Sequence, residues 1–172
     1  MGRPHIVVIN GSGGSGKDTF IKLCSKYVKV ENKSSIDLIK EAATIVGWRG
    51  GKTEKDRLFL SNLKKLSIQY NDAPFNYCVK CIESTKAEVL FLHIREPEEI
   101  NKIVNYCAVE GYGCTTLLVV NLRVRHIKSN SSDGGVLNYE YHTIIINDST
   151  LLSLELKARD FILNKARRLP PL

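Results

Sequence analysis

The chain has no apolar run approaching the ~20 residues that cross a bilayer. Its first residues pass straight into the apolar stretch His5-Ile6-Val7-Val8-Ile9-Asn10, without the charged, apolar and small-residue regions of a secretory leader. No membrane association is expected, and the expected compartment is the cytoplasm. Aromatic residues make up only 8% of the chain and nowhere interleave with basic ones into a stacking platform, which argues against nucleic acid as the partner. There is no internal repeat and no linker-like stretch, so residues 1–172 are expected to form one domain. The five cysteines, an odd number, include one short pair, Cys78-Val-Lys-Cys81, but no second pair to match it. With Cys107 and Cys114 a four-thiolate zinc site is arithmetically open. Those two are spaced too widely for a zinc knuckle, and Cys78 and Cys81 fall in a helical stretch, so the pattern reads as buried free thiols.

What is present is the composition of an ordinary globular domain, 43% apolar and 25% charged. Twenty-five Lys and Arg against eighteen Asp and Glu give a formal charge of +7, which favours anionic partners without choosing among them. The most specific feature follows the first apolar stretch: Gly11-Ser12-Gly13-Gly14-Ser15-Gly16-Lys17-Asp18-Thr19. Strand, glycine loop and helix start fall in the order a phosphate cradle requires. The glycines let the backbone turn its N–H groups inward, and the helix beginning near Lys17 adds its positive end. Lys17 can then reach the donor phosphates as a mobile point charge. Residues 11 to 19 are thus the expected ATP-binding residues, and Asp18 and Thr19 are the oxygen ligands available to Mg²⁺. Asp18 stands where most such loops have Ser or Thr, with the threonine one step later.

Periodicity orders the rest. Helices are expected over about 17–27, 36–46 and 53–70, the last opening at Thr53-x-x-Asp56 with Leu58, Leu60, Leu63 and Ile68 as a buried stripe. Further helices are expected over about 74–84, from Pro97 to Glu110, and from Thr150 to Arg167 with Asp148 or Ser149 as its cap. Residues 28–35, 88–94, 115–122 and 143–146 read as strands, several being continuous apolar runs of the kind buried on both faces. The fold class expected is α/β: a doubly wound parallel sheet of about five strands with helices on both faces and a short lid. Ligands in such sheets gather at the carboxyl ends of the strands. The polar stretch 127–139 is the one long loop.

On these residues the chain resembles P-loop nucleotide kinases of the deoxynucleoside monophosphate kinase and adenylate kinase type. The loop's Gly-Lys-Asp-Thr carries the likeness most specifically. Ser35-Ile36-Asp37-x-x-Lys40, with Trp48 and Lys52-Thr53-Glu54-Lys55-x-Arg57, resembles their acceptor-binding insert, placed at about 36–72. His93-x-Arg95 sits where those kinases often have Asp-x-Arg, and Arg123 and Arg125 open a lid-like loop over about 123–139. The resemblance implies a P-loop NTPase fold and ATP-dependent phosphoryl transfer to a nucleoside or deoxynucleoside monophosphate. It implies Lys17, Arg95, Arg123 and Arg125 as catalytic residues, Asp37, Lys40 and Arg57 at the acceptor, and Asn147 near the adenine. Each has a plainer reading: Arg57 as a solvated helix face, Arg123 and Arg125 as surface residues, Asn147-Asp148 as a helix cap. His93 is a poor Mg²⁺ ligand where a carboxylate is expected. Two other functions stay open: a kinase of a hydroxyl acceptor resembling dephospho-coenzyme A kinase, with Asp37 as general base, and an ATP-binding regulatory module without turnover.

Overall fold

The structure is a computed structural model that describes residues 2–123 and 138–166. Five strands form one parallel sheet: β1 (His5–Asn10), β2 (Val30–Ser34), β3 (Val89–His93), β4 (Cys114–Val120) and β5 (Thr143–Ile146), in the order β2-β3-β1-β4-β5. The central β1 pairs in register with β3, Ile9 opposite His93, and with β4, Asn10 opposite Leu118. These strands are apolar at nearly every position because both faces are covered.

On one face Val7, Ile9, Phe91 and Leu117 pack against α1 (Lys17–Cys24) and α6 (Leu151–Phe161), with Phe20 edge-on to Phe161. On the other, Ile6, Val8, Leu90 and Leu92 pack against α4 (Ala73–Ser84) and α5 (Pro97–Glu110). Burying each of these large side chains contributes about 1.5–3 kcal/mol. Helix α1 therefore leaves β1 towards one face, and α5 leaves the neighbouring β3 towards the other. The resulting crevice at the strand ends is where such sheets bind ligands.

Local signals set most element boundaries. Pro97 opens α5 and Gly111, at φ +72°, closes it. Thr53 and Asp56 cap α3 (Glu54–Asn71) reciprocally, side chain to backbone in both directions. Asp72 takes a left-handed φ of 54° to turn α3 directly into α4, and Lys102 holds its carboxylate at 2.7 Å.

Three expectations are corrected. Helix α3 buries no side chain: Leu58 is 61% exposed, and Leu60, Leu63 and Ile68 are only half-buried. The helix packs against α2 (Asp37–Ile45) and α4 at the edge of the molecule rather than on the sheet. The cap of α6 is Thr150, whose hydroxyl accepts from the Ser153 N–H at 3.2 Å, instead of Asp148 or Ser149. That helix is α-helical only to Phe161 and continues as a π-helical turn over Ile162–Ala166. Burial pushes the Cys24 and Cys78 thiols up to about 12, so both stay protonated and serve as packing. Cys107 and Cys114 meet thiol to thiol.

Candidate active site

The glycine loop between β1 and α1 is held from below by two asparagines. Asn10 is 2% exposed; its Oδ1 accepts from the Gly11 N–H at 2.9 Å. Its Nδ2 donates to the Arg95 carbonyl at 3.2 Å and to the Tyr141 hydroxyl at 2.9 Å. On the other side Asn147, at the end of β5, donates from Nδ2 to the Ser15 carbonyl at 3.0 Å. Gly16 has φ +90°, and a Cβ there would run into that Asn147 amide, so glycine is required on both counts. A Cβ on Gly13, by contrast, would meet nothing within 4 Å. The loop is braced underneath and open above.

Gly16 is also the N-cap of α1 and has no side chain to take up the helix's first N–H groups. Those donors, with the positive end of the helix, face the space above the loop. Lys17 Nζ donates to the Ser12 carbonyl at 3.4 Å, lying back along the loop.

A cleft of about 1100 Å³ runs outward from Gly13, Lys17 and Asp18 across the ends of β3 and β2 to α3. Among the described residues, eight Lys and Arg side chains line it against four carboxylates. Its floor holds His93 and Arg95 at the end of β3, with Asp37 and Lys40 in the first turn of α2. The far wall is one face of α3, with Arg57, Ser61 and Lys64 on successive turns. Lys64 is held by Glu96 at 2.6 Å, and Asp37 accepts the Ser34 N–H on Oδ2 at 2.7 Å. His93 Nε2 lies 3.8 Å from Asp18 Oδ1. Burial holds His93 below the usual imidazole value, with the Asp18 carboxylate pulling the other way.

Of the residues expected from sequence, the structure thus gathers Gly13, Lys17, Asp18, Asp37, Lys40, Arg57 and Arg95 around one cleft. Gly11, Ser12, Gly14, Ser15 and Gly16 build the loop behind it. Thr19 is exposed on α1 and does not line the cleft. Asn147 braces the loop from behind. Arg123 is exposed and off the cleft, its N–H donating to Asn121 Oδ1 at 3.0 Å. Arg125 and nearly all of the loop 123–139 lie outside the described residues. No group of three or more His, Cys, Asp or Glu side chains that could hold a metal converges among the described residues.

Sequence reasoning missed Asn10, Tyr141 and the Lys64–Glu96 pair. Asn10 carried a signal, being a polar residue at the end of an otherwise apolar strand, directly before the glycine loop. Lys64 and Glu96 carried none, because their meeting depends on how α3 lies across the start of α5.

Strand order, crevice and glycine loop together define a P-loop NTPase fold, and solved kinases share it. An APS kinase of Mycobacterium tuberculosis, solved in complex with AMPPNP and APS, superposes with a TM-score of 0.51 at 13% identity over 95% of this chain and 100% of that one. A sugar kinase from Janibacter sp. gives 0.50 at 15% identity over 99% and 100% of the two chains. The tunicamycin resistance protein of Deinococcus radiodurans gives 0.54 at 10% identity, again over 99% and 100%. At these identities the likeness is one of fold. No protein-family model and no curated protein sequence matches the chain.

Proposed function

We propose that the protein transfers the γ-phosphoryl group of ATP to a nucleoside or deoxynucleoside monophosphate. The observation that carries this reading is the single cleft that joins the glycine loop to a cation-lined wall. Transfer between two phosphates asks the protein for positioning and for neutralisation of charge rather than for covalent chemistry. The loop N–H groups and the uncapped start of α1 hold the donor phosphates. Lys17 moves from the Ser12 carbonyl onto the β and γ phosphates. Arg95, fixed through its carbonyl by Asn10, neutralises charge where the two substrates meet. Residues 36–72 supply the acceptor wall, with Asp37, Lys40 and Arg57 facing the acceptor. A phosphate acceptor is already ionised, so no general base is needed.

Mg²⁺, when bound, spreads the charge of the donor phosphates. Asp18 lines the cleft at the start of α1 and would hold it, whereas Thr19 lies off the cleft. A single carboxylate suits an ion that keeps several waters and takes its other ligands from phosphates.

A second reading draws on Asp37, whose carboxylate lines the cleft at the end of β2. There it could take a proton from a hydroxyl acceptor. ADP formation from ATP and Mg²⁺, measured with ribo- and deoxynucleoside monophosphates and with dephospho-coenzyme A, separates the readings. Turnover with a monophosphate, lost in Lys17→Ala and kept in Asp37→Asn, supports the first. Turnover with a hydroxyl acceptor that is lost in Asp37→Asn supports the second. Nucleotide binding without turnover on any acceptor overturns both in favour of a regulatory module.

A further inference from the structure

The acceptor half of the cleft carries more positive charge than one reacting phosphate requires. Arg95 stands at the inner end, where Lys64 is already neutralised by Glu96 at 2.6 Å. Arg57 lies on the same face of α3 seven residues before Lys64, which places it about 10 Å further along the helix axis. Lys52 lines the cleft beside it, just before the Thr53 cap. The nearby Asp56 carboxylate is taken up by the Thr53 N–H at 3.0 Å and the Thr53 hydroxyl at 2.6 Å. Glu54 is the only carboxylate lining this outer end among the described residues, and no ion pair joins it to Lys52 or Arg57 there. A phosphate is far smaller than the separation between the two ends. One group seated against Arg95 leaves the two outer cations, Lys52 and Arg57, facing Glu54 as the one carboxylate of the described lining at that end.

We propose that the acceptor carries a second anionic group, a phosphate or comparable anion, seated at the N-terminal end of α3 against Lys52 and Arg57 while the reacting group lies at Arg95. The proposal rests on the reading of this cleft as an acceptor site, and it modifies that reading: the acceptor carries, besides the reacting phosphate, a second anionic group separated from it. A row of cations along a helix also suits a short nucleic acid strand. Among the described residues the cleft lining offers His93 as its only aromatic ring and no Trp, Tyr or Phe on which bases could stack, so the small molecule is favoured.

The test is calorimetric binding to the whole protein, with the donor site saturated by AMPPNP and Mg²⁺. The probes are adenosine and thymidine 5′-monophosphates, the matching 3′,5′-bisphosphates and a thymidine tetranucleotide. The bisphosphates are expected to bind at least about tenfold more tightly than the monophosphates. That advantage should shrink as salt is added. It should fall to within about threefold in Lys52→Ala, whose affinity for the monophosphates stays at the wild-type value. Lys52 is exposed, so the fold is expected to survive the change, and an unshifted melting temperature checks this. Equal binding of mono- and bisphosphates overturns the proposal while leaving the kinase reading intact. A bisphosphate advantage that survives Lys52→Ala overturns the placement. Tighter binding of the tetranucleotide overturns it in favour of nucleic acid. If AMPPNP itself does not bind, the kinase reading falls and the proposal with it.

Discussion

Asn10, just before the glycine loop, and Ser15, within it, are 2% and 0% exposed, whereas α3 on the facing wall runs for 18 residues without one buried side chain. The two walls of one cleft are thus stabilised in different ways. At the end we propose for the donor, glycine dihedrals and amide hydrogen bonds fix the backbone of the loop. At the end we propose for the acceptor, long charged side chains project from a helix held mainly by its capping box and by contacts with α2 and α4. A rigid backbone suits a phosphate chain whose shape is constant. Side chains on a lightly packed helix suit a partner whose identity varies among proteins sharing the fold. Substitutions at the donor end should therefore alter stability and nucleotide affinity together. Those at the acceptor end should alter acceptor affinity alone.

The largest expected effect is at the donor end. Lys17→Ala should lower kcat by roughly 10²–10³-fold, as the loss of one preorganised charge at a transition state does, with the melting temperature unchanged. A stopped assay for ADP together with a thermal melt checks both halves. Next is Gly16→Ala, which sets a Cβ at φ +90° against the Asn147 amide. It should destabilise the fold by about 1–3 kcal/mol and weaken AMPPNP binding in the same variant. Adding Asn147→Ala should recover part of that loss, since the clash goes and the backbone strain stays. Unchanged urea unfolding of Gly16→Ala would break the contrast drawn between the two walls.

Across the cleft, Arg57→Ala should raise KM for the acceptor about tenfold, the loss of one charge-assisted contact, while the Kd for AMPPNP and the urea midpoint hold. A matching fall in nucleotide affinity would mean that the two ends are coupled. The pH dependence of stability is a smaller effect. Burial holds His5 and His93 below the ordinary 6.5 in the folded chain. Below that value the unfolded chain binds more protons, so stability falls as pH drops under 6.5 and levels once the folded imidazoles also protonate. Urea midpoints taken between pH 8 and pH 5 should show this fall, and His5→Gln should reduce it. The smallest effect is expected at Tyr70, 88% exposed on α3, where Tyr70→Ala should change stability by less than about 0.5 kcal/mol.

The difference between the walls also decided what could be read from the sequence. Glycine spacing, Lys17 and the apolar runs of β1, β3 and β4 are local patterns, and local chemistry fixes their conformation. The helix over Pro97–Glu110 was legible at both ends because Pro97 and Gly111 punctuate it. The leucines of α3 misled, because helical spacing of apolar residues gives a face without saying whether anything lies against it. Asn147 was singled out in the sequence, but its donation to the Ser15 carbonyl joins segments 132 residues apart, a contact that no periodicity encodes. Lys64 and Glu96 belong to the same class.

That contact also ties the phosphate site to the order in which the chain is made. A growing polypeptide carries its glycine loop from the start, yet β1 stays unflanked until β3 and β4 follow, and the loop stays unbraced until residue 147 has emerged. On the proposed function, nucleotide capture therefore belongs to the finished sheet. A fragment stopped before the last strand would contain the whole phosphate-binding motif and lack the asparagine that holds it in shape.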